Sequence, residues 1–120
     1  MIAVIFEAET SAETQAEYLD LAAELKPLLS EIDGFLSIER FQSLSTPGRL
    51  LSLSFWRDEA AVAQWRALPE HRRAQAAGRD HVFASYRLRI AEVLRDYGRD
   101  DRDEAPADSR GFHAKGDAHV

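Results

Sequence analysis

Two residues of this chain can exchange a proton near a small molecule, His71 and Glu7, and five more can hold one: Trp65, Arg40, Trp56, Phe83 and Arg87. An imidazole titrates near neutral pH, so His71 suits a general base or a haem ligand. It lies among Glu70, Arg72 and Arg73 at a helix start, where a solvated surface histidine is the plainer expectation. Glu7, like Glu39 and Arg40, interrupts an otherwise apolar strand. A carboxylate there can polarise a phenol or take its proton; the plainer role is an ion pair across the sheet or across a dimer interface. Arg87 and Arg89 share one face of a strand and suit a carboxylate or phosphate, or a salt-bridge ladder. Trp65 closes a helix, and Tyr18, Trp56, Phe83 and Tyr86 either wall a cavity or fill a core. His81, His113 and His119 have no metal-ligand spacing with any acid cluster, so no metal site is assigned.

The elements that must position these residues read from local pattern. Ile2 to Ala8 alternates as a strand, with Ile2, Val4 and Phe6 on one face and Ala3, Ile5 and Glu7 on the other. Thr10 and Glu13 have the T-x-x-E spacing of a capping box. The helix that follows carries Tyr18, Leu21, Ala22, Leu25, Leu28, Leu29 and Ile32 as an apolar stripe, with Pro27 inside it and Gly34 as its stop. Phe35 to Phe41 and Leu50 to Trp56 form a hairpin around the Pro47-Gly48 turn. In the second of these strands Leu51, Leu53 and Phe55 share one face, and Ser52, Ser54 and Trp56 the other. Asp58 caps a second helix that presents Ala61, Val62, Trp65 and Leu68. Pro69 to Ser85 reads as a broken helical connection interrupted at Gly78, and Tyr86 to Tyr97 as a last strand whose second half is equally compatible with a helix. The order is β-α-β-β-α-β, a split β-α-β unit.

Composition bounds the class. The chain has 120 residues, no cysteine and a net charge of −6. The missing cysteine removes disulfides, thiolate catalysis and cysteine metal sites. The negative charge argues against nucleic acid as main partner. No apolar run reaches the length of a membrane span, and the N-terminal layout is not that of a signal peptide, so a cytoplasmic location without membrane attachment is expected. Charge is uneven: residues 57–95 hold eight arginines against five acids, while residues 1–56 hold nine acids against three basic side chains. From Arg99 onward periodicity is lost. Residues 99–120 read as a polar tail, flexible alone or packed on a partner subunit, and residues 1–98 as the folded domain.

The FLSIERFQS strand, the LSLSFW strand running into DEAAVAQW, and a histidine soon afterwards resemble the antibiotic biosynthesis monooxygenase family. The resemblance spans about residues 1–97. It implies a ferredoxin-like α+β fold with an antiparallel sheet, two copies of which pack sheet to sheet into a dimeric α+β barrel. Apolar residues on both sheet faces agree, because helices can cover only one of them. Branches of the family include cofactor-free monooxygenases of electron-rich aromatic compounds, haem-degrading enzymes and an isomerase of a phosphorylated sugar. The haem-degrading branch has its ligand histidine where this chain has Gln75, and an amide where this chain has Glu7, so haem degradation is not expected.

By this resemblance Trp65 corresponds to the tryptophan that contacts substrate in active members. The expected activity is cofactor-independent oxygenation of an activated phenolic or quinol-like ligand. Trp65 would orient the ring, His71 or Glu7 would take the proton, and Arg40 or Arg87 would stabilise negative charge, with Trp56 and Phe83 as further walls. The rival is a non-catalytic binding or stress-response module that sequesters a small hydrophobic ligand in the same dimer, with haem binding through His71 as a third reading.

Overall fold

The computed structural model describes residues 1–113; His119 lies outside them. The elements are β1 (Ile2–Glu9), α1 (Ala12–Leu29), β2 (Phe35–Gln42), β3 (Arg49–Trp56), α2 (Glu59–Ala67), α3 (Pro69–Ala77), a π-helical turn (Gly78–Val82), β4 (Ser85–Glu92) and α4 (Ala107–His113). The four strands form one antiparallel sheet in the order β2-β3-β1-β4. This is the expected α+β ferredoxin-like topology. Among the described residues no helix is long and apolar enough to cross a membrane.

The start of α1 departs from the sequence reading by one residue. Ser11, not Thr10, is the cap: its hydroxyl accepts from the Thr14 N–H at 3.2 Å, and Thr14 Oγ1 accepts from the Ser11 N–H at 2.9 Å. Thr10 is instead drawn to the β2–β3 turn. Its N–H donates to the Gly48 carbonyl at 2.9 Å and its hydroxyl to the same oxygen at 3.3 Å. Gly48 sits at φ +83, and a Cβ there would lie 2.5 Å from the Thr10 carbonyl oxygen, so only glycine permits the approach. At its other end α1 stops at Leu29, two residues after Pro27 and before the Gly34 expected as its stop. Asp58 caps α2 as expected, its Oδ1 accepting from the Ala61 N–H at 2.9 Å.

Register decides which sheet face the helices cover. Directly paired residues share a face, so Ile2, Val4, Phe6 and Ala8 of β1 lie with Trp56, Ser54, Ser52 and Leu50 of β3. On β3 these four are the buried ones, while Leu51, Leu53 and Phe55 are only half-buried. The helices therefore cover the more polar face. Ser54 is accommodated there because Trp56, 1% exposed, donates its indole N–H to the Ser54 hydroxyl at 2.9 Å. Leu29, Ile32, Trp56, Ala61 and Val62 make one core cluster, and Tyr18, Leu50 and Val82 a second toward the other end of the sheet.

The connection after α2 is not broken at Gly78. α3 continues into the π-helical turn, and Gly78 keeps helical angles with its N–H bonded to the Ala74 and Gln75 carbonyls. Its missing side chain makes room for Phe83, whose Cε2 would be 2.6 Å from a Cβ at that position.

Candidate functional site

The expected site residues fall into three places. Trp65, Trp56 and His71 lie on the helix side at one end of the sheet. Trp65 is half-buried against the first core cluster, its ring 6.5 Å from that of Trp56. His71 stacks on Trp65 with ring centroids 4.2 Å apart and 22° between planes. The Leu68–Pro69 corner produces this: it ends α2, starts α3 with a proline in the first turn, and folds the new helix back so that His71 meets the residue six positions earlier. Trp56 itself is too buried to meet a ligand and anchors the core.

His71 Nδ1 lies 3.0 Å from the Trp65 carbonyl oxygen. A carbonyl only accepts, so Nδ1 carries the hydrogen and Nε2 keeps the lone pair. Gln75 Nε2 lies 3.2 Å from the same Nδ1 and 3.5 Å from the Arg66 carbonyl, toward which its N–H is directed. Burial disfavours the imidazolium and holds the His71 pKa below its ordinary value, partly opposed by the bond to the Trp65 carbonyl. His71 is thus neutral at pH 7 with its free base at Nε2. It is half-buried against an indole, not a solvated surface histidine. Gln75 was not assigned a place beside His71 from the sequence; its spacing of one helical turn from His71 was the available signal.

Arg40 and Phe83 form a second group on the same face. Arg40 pairs with Ser52, four residues along β3 from Trp56, which places it roughly 13 Å from the Trp56 end at ~3.4 Å per residue. Its Nε donates to the Tyr18 hydroxyl at 3.2 Å, and its guanidinium lies 5.9 Å from that ring's centre. Phe83 stands edge-on to both Phe6 and Tyr18 at 5.3 Å, with Tyr86 at 6.1 Å.

Glu7 and Arg87 are elsewhere. They pair in the β1–β4 register and lie on the face that no helix covers, where Arg89 donates to Glu7 Oε1 at 3.3 Å. The alternation of side chains along β1 puts Glu7 opposite to Phe6 and Ala8, so the sheet itself stands between Glu7 and His71. The structure does not bring the two expected bases into one pocket, nor the two expected arginines.

Two grooves open on the helix side. One, of about 380 Å³, runs between Leu21, Leu25 and Leu28 of α1 and Glu70, Arg73 and Ala74 of α3. The other, of about 300 Å³, lies between α2 and β4, at Val62, Ala63, Arg66 and Ile90. Trp65 and His71 line neither, but the α3 residues of the first flank His71 in sequence. Among the described residues no group of three or more histidine, cysteine or acidic side chains is placed to hold a metal ion.

Residues 1–77 match the sequence pattern described as antibiotic biosynthesis monooxygenase. A protein of Pyricularia oryzae named jasmonate monooxygenase ABM is 47% identical over 93 residues, 78% of this chain. That match spans only 43% of the Pyricularia protein's length. YqjZ of Bacillus subtilis, an uncharacterized protein, is 33% identical over 93 residues, covering 78% of this chain and 79% of its own. Among solved structures, Rv0793 from Mycobacterium tuberculosis superposes with a TM-score of 0.71 at 16% identity, over 81% of this chain and 98% of its own. The N63A mutant of SnoaB, a cofactor-independent oxygenase from Streptomyces nogalater, gives 0.68 at 13% identity, over 79% of this chain and 94% of its own.

Proposed function

This chain belongs to the antibiotic biosynthesis monooxygenase family, and on that premise we propose that it is a cytoplasmic, cofactor-independent monooxygenase of an activated aromatic or quinol-like substrate. The observation that carries the reading is the stacked His71–Trp65 pair. Such a substrate must first lose a proton, and Nε2 of a neutral histidine is the group to take it. The resulting carbanion or phenolate gives electrons to dioxygen and captures it at carbon. When the hydroperoxide breaks, one oxygen remains as a carbonyl and the other leaves as water, so two substrate hydrogens and one O₂ balance. The indole gives an aromatic substrate a flat surface beside the base. The α1–α3 groove, about 380 Å³, is large enough for a small organic molecule, and its Glu70, Arg73 and Ala74 flank His71 along α3.

The half-buried Leu51, Leu53 and Phe55 support a homodimer formed through the uncovered sheet face. The assembled dimer would also bury Glu7 and Arg87.

Oxygen uptake is the test, run with anthrones, hydroquinones and jasmonate, the compound in the Pyricularia relative's name. Uptake that is lost in His71→Ala and survives a chelator supports the proposal. Uptake indifferent to His71 overturns the assignment of the base. Ligand binding that quenches Trp65 with no uptake for any compound favours a sequestering module instead.

A further inference from the structure

Beyond β4 the chain carries an arm, residues 94–113, that ends in α4. Arg102 organises this arm. Its NH1 donates to the Gly98 carbonyl at 3.0 Å, its NH2 to the Ser109 hydroxyl at 2.7 Å, and its guanidinium lies 5.1 Å from the centre of the Tyr97 ring. The Asp96 N–H donates to Glu104 Oε1 at 2.9 Å and the Gly98 N–H to the Asp101 carbonyl at 2.8 Å. All these bonds close within the arm. Its large apolar side chains turn outward: Leu94 is 82% exposed and Phe112 61%.

β4 has the complementary deficit. Every residue of it is exposed. On the helix side Tyr86, Leu88 and Ile90 form an apolar shelf, although helices cover the same face of the neighbouring β1 and β3. Ile90 is also one wall of the α2–β4 groove. An edge strand with an open apolar side is an attachment site.

We infer that this shelf is covered by residues 94–113 of a second copy of the chain, whose arm closes the α2–β4 groove. Charge is compatible: residues 94–113 hold six acids and four arginines, and Arg66 lines the groove together with Glu59. Geometry points to another copy and not to the same one. The described chain is 54 Å long with a radius of gyration of 17.5 Å, against roughly 13 Å for a compact chain of this size. The arm leaves its own shelf open, since Tyr86, Leu88 and Ile90 are exposed with it present. Exchange of an identical element between copies is a low-cost route to such covering.

The inference rests on the pairing of copies proposed above, and the test separates the two. The chain has no cysteine, so single thiols can be placed at will. Full-length Leu88→Cys and Phe112→Cys chains, both exposed positions, are co-expressed and treated with a short bismaleimide. A covalent dimer joined through positions 88 and 112, identified by its cross-linked peptide, supports arm exchange. A chain carrying both substitutions that links only to itself overturns it. A dimer by light scattering with no such product overturns the arm while leaving the sheet-to-sheet pairing intact; a monomer by light scattering overturns both.

Discussion

His71 bonds through Nδ1 to the backbone carbonyl of the residue whose side chain it stacks on, Trp65. One residue thereby sets both the tautomer and the plane of the imidazole. Rotating the ring to free Nδ1 would also break the stack, so Nε2 is held in a single orientation.

This pairing makes His71 a pH-dependent element. Burial lowers its pKa below the ordinary 6.5, so the unfolded chain takes up the proton first as pH falls. The stabilisation is complete above pH 6.5 and declines below it, until the folded-state value is reached. Urea titrations between pH 5 and 8 should show this slope in the wild type and a flatter one in His71→Ala. In turnover, the rate should rise with pH to a plateau, with an inflection below 6.5.

Trp65 and Trp56 should separate cleanly. Trp56→Ala removes a fully buried indole and is expected to cost about 3–5 kcal/mol in urea unfolding. Trp65→Phe keeps an aromatic ring on the half-buried site and should cost less than ~1.5 kcal/mol. Its effect should appear in kcat, lowered by about tenfold or more through loss of the stacked orientation. Equal kcat in wild type and Trp65→Phe would remove Trp65 from the reaction.

The corrected cap has its own signature. Ser11→Ala should destabilise by about 1 kcal/mol, since it removes the acceptor for the Thr14 N–H. Glu13→Ala should fall within about 0.5 kcal/mol of wild type. The reverse ranking in thermal melts would restore Thr10–Glu13 as the capping box.

Gly78→Ala gains helix propensity, about 1 kcal/mol, and meets Phe83. The ring cannot swing away, because Phe6 and Tyr18 flank it at 5.3 Å. Overpacking of about 1–3 kcal/mol should exceed the gain, giving a lower urea midpoint.

Leu53→Asp places a charge in the middle of the uncovered face without touching the helix-side core. By light scattering the variant should be monomeric at concentrations where the wild type is dimeric, with unchanged far-UV circular dichroism. A variant that stays dimeric would mean that the copies pair elsewhere.

Much of the fold is legible along the chain because its signals are local. Two-residue alternation marks β1 and β3, Asp58 marks the start of α2, and Pro47-Gly48 marks the hairpin. Thr10 misleads for a physical reason: its spacing to Glu13 suits a cap, yet a contact with Gly48, 38 residues away, claims its hydroxyl. Gly78 misleads in the same way, since glycine reads as a break until Phe83 is seen to fill its space.

The sequence alone determined β1, α1, β2, β3 and α2, their order and the family, and it singled out Trp65 and His71; it left the second half of the last strand open and read no helix beyond Arg99, where α4 forms. Only the tertiary structure decided which of these residues meet. Both faces of β1 and β3 carry apolar side chains, so alternation says which residues share a face but not which face is covered. The helices settled on the side of Ser52, Ser54 and Trp56, where the indole of Trp56 finds its acceptor in Ser54. That choice placed Arg40 beside Tyr18, and Glu7 and Arg87 behind the sheet. The Leu68–Pro69 corner then brought His71 onto Trp65. Strand alternation acts over two residues and capping over four; the stacking of one helix's histidine on another's tryptophan is fixed by how the helices turn and pack, which no local pattern encodes.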